Sequence, residues 1–172
     1  MKILTIVLVG LVAGSLHAQT VSSSRVTDWE RNRHNVLAYL DAMPDSALEF
    51  RPTPGVRTLA GQFDHIISTN LDVAAAVRGL AHGPVLGDSS KFLHDKAALK
   101  AYATAVYDYV LETVRSPAAA DTTRKFPVYG QPPEAAGRWL ELSLEHSVWT
   151  LGQVVPYLRL NHATPPAYDI PF

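Results

Sequence analysis

The sequence predicts an all-α protein, a single four-helix bundle with a long crossing between its third and fourth helices. Three observations carry this expectation. Four segments repeat apolar residues at intervals of three and four, the spacing of one buried helix face. Breaks rich in proline and glycine separate those segments. The alternation that would mark a strand is confined to two residues near 124–129, too few for a sheet.

The first helix is expected from about Thr27 to Met43, with Trp29, Val36, Leu37, Tyr39 and Leu40 as its apolar members, and it stops at Met43-Pro44. The connector DSALEFRPTPGVR leads to Thr58, an N-cap for a second helix reaching about Gly79. HGPVLGDSS is a loop, after which Ser90 or Asp95 caps a third helix over Lys96–Val114. There Leu99, Tyr102, Ala103, Val106, Val110 and Val114 form the repeating face. SPAAADTTRKFPVYGQPPEAAG is an irregular crossing, and the fourth helix runs from about Glu134 to Leu160. A Pro-rich tail, ATPPAYDIPF, closes the chain. Packing four such faces around one core makes an antiparallel bundle the economical arrangement, with at least one connection passing over an end.

The chain has 172 residues. Its first 18, MKILTIVLVGLVAGSLHA, read as a signal peptide: Lys2 supplies the positive end, an apolar run follows, and Ala18 is a small residue at the cleavage position. Residues 19–172 then form one domain, exported to the periplasm or beyond. The 15 basic and 16 acidic residues are scattered without a basic run, so the sequence gives no support for nucleic acid or an anionic membrane as partner. A small molecule and a second copy of the chain stay open as partners. Cysteine is absent, which removes disulfides, thiolate ligands and a thiol nucleophile together. Any metal must be held by nitrogen and oxygen.

The chemistry-bearing residues sit on the second and fourth helices. With about 100° per residue, Trp139, Thr150, Gln153 and Tyr157 fall within roughly 40° of His146, and an apolar arc of Leu140, Leu144, Val148, Leu151, Val155 and Leu158 centres about 150° away. Ser143 and Ser147 lie between the two. On the second helix His65 lies off the apolar face of Phe63, Ile66, Ile67, Ala74 and Val77, whereas Asn70 points into it and must find partners there. Such histidines serve either as hydrogen-bonded packing residues or as ligands. Pro156, with Gly152 one turn before it, reads as a tolerated kink.

Taken together, Trp29, the run NVLAYLDAMPDSALEFRPTPGVRTLAGQFDHIISTN and the helix EHSVWTLGQVVPYLRLN resemble the DinB/YfiT-like family of four-helix proteins. The resemblance implies a divalent metal, zinc or nickel, held by three histidines, and thiol-transferase or hydrolase-like chemistry. His65 and His146 match two of the three ligands. Thr150 stands where the second histidine of the family's His-x-x-x-His pattern belongs, while Gly152 and Gln153 keep its flank. A neutral hydroxyl is a poor replacement for imidazole at zinc or nickel, so the expected site is degenerate. Gln153, Asp72, Glu145 and His34 are candidates to compensate. His82, His94 and His162 lie in loops or at helix ends and are expected to be solvated. A metal-free binding or scaffold protein is the alternative reading.

Overall fold

The computed structural model describes the backbone of residues 3–169 and the side chains of residues 23–169. The predicted signal peptide therefore lies outside the residues whose side chains are described. Five helices and one short strand pair follow in order: α1 (Ile3–Ala42), a 3-10 turn (Asp45–Ala47), α2 (Leu59–Val77), α3 (Lys96–Arg115), α4 (Pro117–Ala120), β1 (Lys125–Phe126), β2 (Glu134–Ala135) and α5 (Ala136–Leu160).

Local chemistry sets the boundaries. Thr58 accepts from the Gly61 amide and starts α2, and Asp95 accepts from Ala98 N and starts α3. The last turn of α2 closes through Gly79, whose φ of 78° suits glycine. Its amide bonds Ala76 O, and the Leu80 amide bonds Ala75 O, a pair that satisfies two terminal carbonyls. The first helix was expected from Thr27 but is already helical through residues 23–26. Arg25 anchors the stretch of α1 just before Thr27 by donating to Ala119 O at 3.3 Å and pairing with Glu141 at 3.6 Å. The fourth long helix begins at Ala136, later than expected, because Glu134 and Ala135 pair with Phe126 and Lys125 as antiparallel strands.

The four long helices form one bundle in which α2 packs against α3 and α5, and α1 packs against α3 and α5. Cross-contacts fix their directions. Asn70 meets Tyr107 and Arg78 meets Thr113, so α2 and α3 run parallel. His65 meets His146 and Gln62 meets Tyr157, so α2 and α5 are antiparallel. Lys100 meets Asp41 and Arg115 meets Glu30, which makes α1 and α3 antiparallel as well. The connection expected to pass over an end of the bundle is thus the one between α2 and α3, which run parallel. Residues 78–95 carry the chain back along the bundle, held by Phe92 stacked on Tyr102 with ring centroids 4.0 Å apart.

A correction concerns the buried face of α5. Val148 is 38% exposed, whereas Ser143, Ser147 and Thr150 are all buried. The face has turned toward the serines because Asn70 lies opposite them. Asn70 Oδ1 accepts from Ser143 Oγ at 2.7 Å and from Ser147 Oγ at 2.9 Å. Its amide nitrogen donates to the Tyr107 hydroxyl at 3.3 Å, and that hydroxyl donates to Asn32 Oδ1 at 2.6 Å. One buried polar chain therefore links all four long helices. Around it pack Trp29, Leu40, Phe63, Leu140, Leu151 and the rest of the core. The tail packs too, through reciprocal bonds between Asn35 and the backbone of Asp169.

Truncating Asn70 leaves three buried hydroxyls without their shared partner. Asn70→Ala is expected to cost about 2–4 kcal/mol and Tyr107→Phe about 1–2 kcal/mol, read from urea unfolding. A loss below about 0.5 kcal/mol for Asn70→Ala would show that the network adds nothing to stability.

Candidate metal centre

His65 and His146 face each other across the antiparallel contact of α2 and α5. Their Nε2 atoms are 3.1 Å apart, and the rings meet edge to face at 86° with centroids 4.8 Å apart. Thr150, one turn along α5, brings its hydroxyl to 3.4 Å from His146 Nε2. The sequence-predicted pair is therefore assembled, with the threonine beside it. Two nitrogens bonded to one ion at about 2.0–2.1 Å lie about 2.9–3.4 Å apart, so the observed separation matches two adjacent ligand positions.

The other candidates are elsewhere. His34 is exposed on α1 and lines a groove against α3 with Arg33 and Asp108, which are paired at 3.0 Å. Asp72 is exposed and accepts from the Tyr129 hydroxyl at 2.7 Å. Glu145 is exposed and Gln153 half-buried, and neither bonds the pair among the described residues. His82 is exposed, and His94 is an exposed partner of Glu49 at 2.8 Å. His162 closes α5 with a left-handed φ of 58°. Among the described residues no group of three histidine, cysteine, aspartate or glutamate side chains could hold a metal ion.

The imidazoles are tuned toward neutrality. Burial pushes the His65 pKa below the usual imidazole range, helped by the Arg57 guanidinium and then by His146. Burial lowers that of His146 as well, with Arg57 again adding to the effect. Two neutral rings at this distance form one hydrogen bond, which requires a proton on one Nε2 and a lone pair on the other. Binding one ion through both Nε2 atoms instead requires both protons on Nδ1. His146 Nδ1 is buried and has no hydrogen-bond partner. Ligating histidines normally donate that second proton to an orienting acceptor. The donor set thus fits two positions of an ion, while the threonine and the unpartnered Nδ1 both make the site weak.

Beside His146 opens a cavity of 430 Å³ between α2, α5 and the crossing, lined by Val73, Val128, Tyr129, Trp139 and Leu142 among others. The sequence did not signal it, since its outer wall comes from the irregular crossing. Tyr129 holds a left-handed φ of 51°, Trp139 Nε1 donates to Phe126 O at 2.7 Å, and the Tyr129–Asp72 bond ties this wall to α2. At the other end of the pair, Tyr157 donates to Arg57 O at 3.0 Å and accepts from Gln62 Nε2 at 3.2 Å, fixing the start of α2 against α5. Trp149 is 68% exposed, with its ring 6.5 Å from that of His146. It is a rim residue, as Trp139 and Tyr157 are core residues.

A four-helix bundle with a paired-histidine cleft between its second and last long helices is the class this geometry defines. A family model described as the DinB superfamily matches residues 28–154, and the chain belongs to that superfamily. The crystal structure of a DinB-like protein from Bacillus subtilis is similar with a TM-score of 0.67 at 15% identity, over 87% of this chain and 99% of that one. A DinB-like protein from Bacillus cereus is similar with a TM-score of 0.59 at 20% identity, over 86% of this chain and 97% of that one. At these identities the likeness is one of fold. No curated protein matches the chain.

The lowered imidazole pKa values give the metal-free protein a pH-dependent stability. Above the unfolded value of about 6.5 the rings are neutral in both states. As pH falls through it, the unfolded chain takes up protons that the native pair resists, so stability drops until the folded pKa values are passed. The urea midpoint is expected to fall between about pH 7 and about pH 5, and to fall less in His65→Gln and in Arg57→Ala. An unchanged pH dependence in both variants would count against this account.

Proposed function

We propose that this protein is an exported DinB-superfamily bundle whose His65–His146 pair is a degenerate site for zinc or nickel, serving thiol-transfer or hydrolytic chemistry on a small molecule. The observation that supports it most is the 3.1 Å separation of the two Nε2 atoms. His65 and His146 would hold the ion through those atoms, and both rings stay neutral donors near pH 7 because their pKa values are lowered. A bound divalent ion supplies acidity to a coordinated water or thiol. The Thr150 hydroxyl, next to His146 Nε2, is suited to orient that water or the substrate. Asn70 fixes the α5 face that carries His146 by bonding Ser143 and Ser147 on either side of it. The apolar wall of Val73, Trp139 and Leu142 keeps bulk water from one flank. Export rests on residues 1–18, read as a signal peptide.

A second reading is a metal-free small-molecule-binding protein. It is favoured by the unpartnered His146 Nδ1, by the hydrogen bond that the two neutral rings form without an ion, and by the adjoining cavity.

Metal analysis of protein purified without an affinity tag separates the two. The metal reading expects bound zinc or nickel that is lost in both His65→Ala and His146→Ala. It also expects Thr150→His to tighten zinc binding about tenfold or more, since it adds a third imidazole. Metal content indifferent to either alanine, with no gain from the added histidine, leaves the metal-free reading standing.

A further inference from the structure

We propose that the cavity beside His146 binds a small organic cation with an apolar body, an aryl- or alkylammonium, with Glu134 as its charge partner. The proposal rests on the cavity being the ligand site of the paired-histidine cleft, and not on an ion being present there.

The size and walls come first. At 430 Å³ the cavity lies in the range of small-ligand sites, and its lining is largely side-chain carbon from Val73, Val128, Trp139, Leu142 and Pro132. An apolar body of one ring or a short chain fits that lining. The Trp139 indole is pinned by its bond to Phe126 O, so this wall is set before a ligand arrives.

The sign of the charge follows from the ionisable groups. Among the described residues no lysine or arginine lines the cavity, and Glu134 is the one carboxylate that does. Glu134 is half-buried, and its carboxylate has no hydrogen bond or ion pair among the described residues. Arg124, just before β1, is committed elsewhere: it bonds the Val77 carbonyl, reaches Ala76 O at 3.5 Å and lies over the Phe126 ring at 4.4 Å. At the lip, Asp72 adds a second negative charge through its bond to Tyr129. A half-buried, unpaired carboxylate in an apolar cleft favours a cation and repels an anion of the same shape. The aromatic surfaces of Trp139 and Tyr129 are compatible with such a group through cation–π attraction.

The larger groove between α1 and α3 offers no comparable site. Its charges already neutralise one another as Arg33–Asp108 and Arg115–Glu30 pairs.

Titration calorimetry on the full chain, stripped of metal and then loaded with zinc, tests the proposal with two probes of similar shape. 2-Phenylethylammonium is expected to bind at least about tenfold more tightly than 3-phenylpropionate. Glu134→Gln should weaken the cation about fivefold and narrow the preference, and Leu142→Trp should abolish binding of both by filling the cavity. Circular dichroism melts confirm that each variant is folded. Equal or tighter binding of the carboxylate, no binding of either probe at millimolar concentration, or an unchanged affinity in Glu134→Gln overturns the assignment. Zinc content is measured on the same samples, so the two readings fail separately. Zinc bound without cation selectivity removes this proposal alone, and cation selectivity without zinc removes the metal reading alone.

Discussion

The arrangement of this bundle depends on one buried amide. Asn70 sits at the centre of the core with a donor and an acceptor that cannot reach bulk water, and an unmatched buried polar group carries a large desolvation cost. Both are matched by residues from other helices: Tyr107 on α3, Ser143 and Ser147 on α5, and Asn32 on α1 through the tyrosine hydroxyl. Apolar packing alone tolerates small rotations and slides of one helix on another. Hydrogen bonds of fixed length do not. The rotation of α5 is therefore set by its serines, and His146, between them in sequence, is carried to His65 as a result.

The same constraint places the cleft at the edge of the core. Ser143 and Ser147 are short, so the helices approach closely at Asn70, while the larger Trp139 and Leu142 nearer the start of α5 open a space that the crossing covers from outside. Burial around the pair is enough to keep the imidazoles neutral but leaves them reachable. A tighter enclosure would have hidden the Nε2 atoms, and a looser one would have let both rings protonate in mildly acid surroundings.

Much of this was legible in the sequence, and the failures have physical causes. Periodicity, the Thr58 and Asp95 caps and the proline breaks located every long helix, because those signals are local. The pairing of His65 with His146 was legible through the resemblance of two helix motifs to the DinB-like family. The face of α5 was misjudged because hydrophobicity ranks serine as solvent-facing, and only the presence of Asn70 opposite makes serine a core residue there. His34 was a reasonable candidate from its helix, but a register one residue away from Asn35 turns it outward. The parallel run of α2 and α3 was not legible at all, since loop length is compatible with either direction. Nor was the cavity wall, which depends on the left-handed backbone at Tyr129 and on a two-residue strand pair.

The parallel neighbours also bear on how the chain reaches this state. In a simple up-and-down bundle each helix can zip onto the one just made, through a short turn. Here α2 cannot do so with α3 until residues 78–95 have travelled the length of the bundle, and the histidines that meet across α2 and α5 are 81 positions apart in sequence. Contacts so distant must close large loops before they return any stabilisation, which slows folding relative to bundles of the same size with local contacts. The paired rings therefore come together only when α5 docks against α2, across a loop of that length.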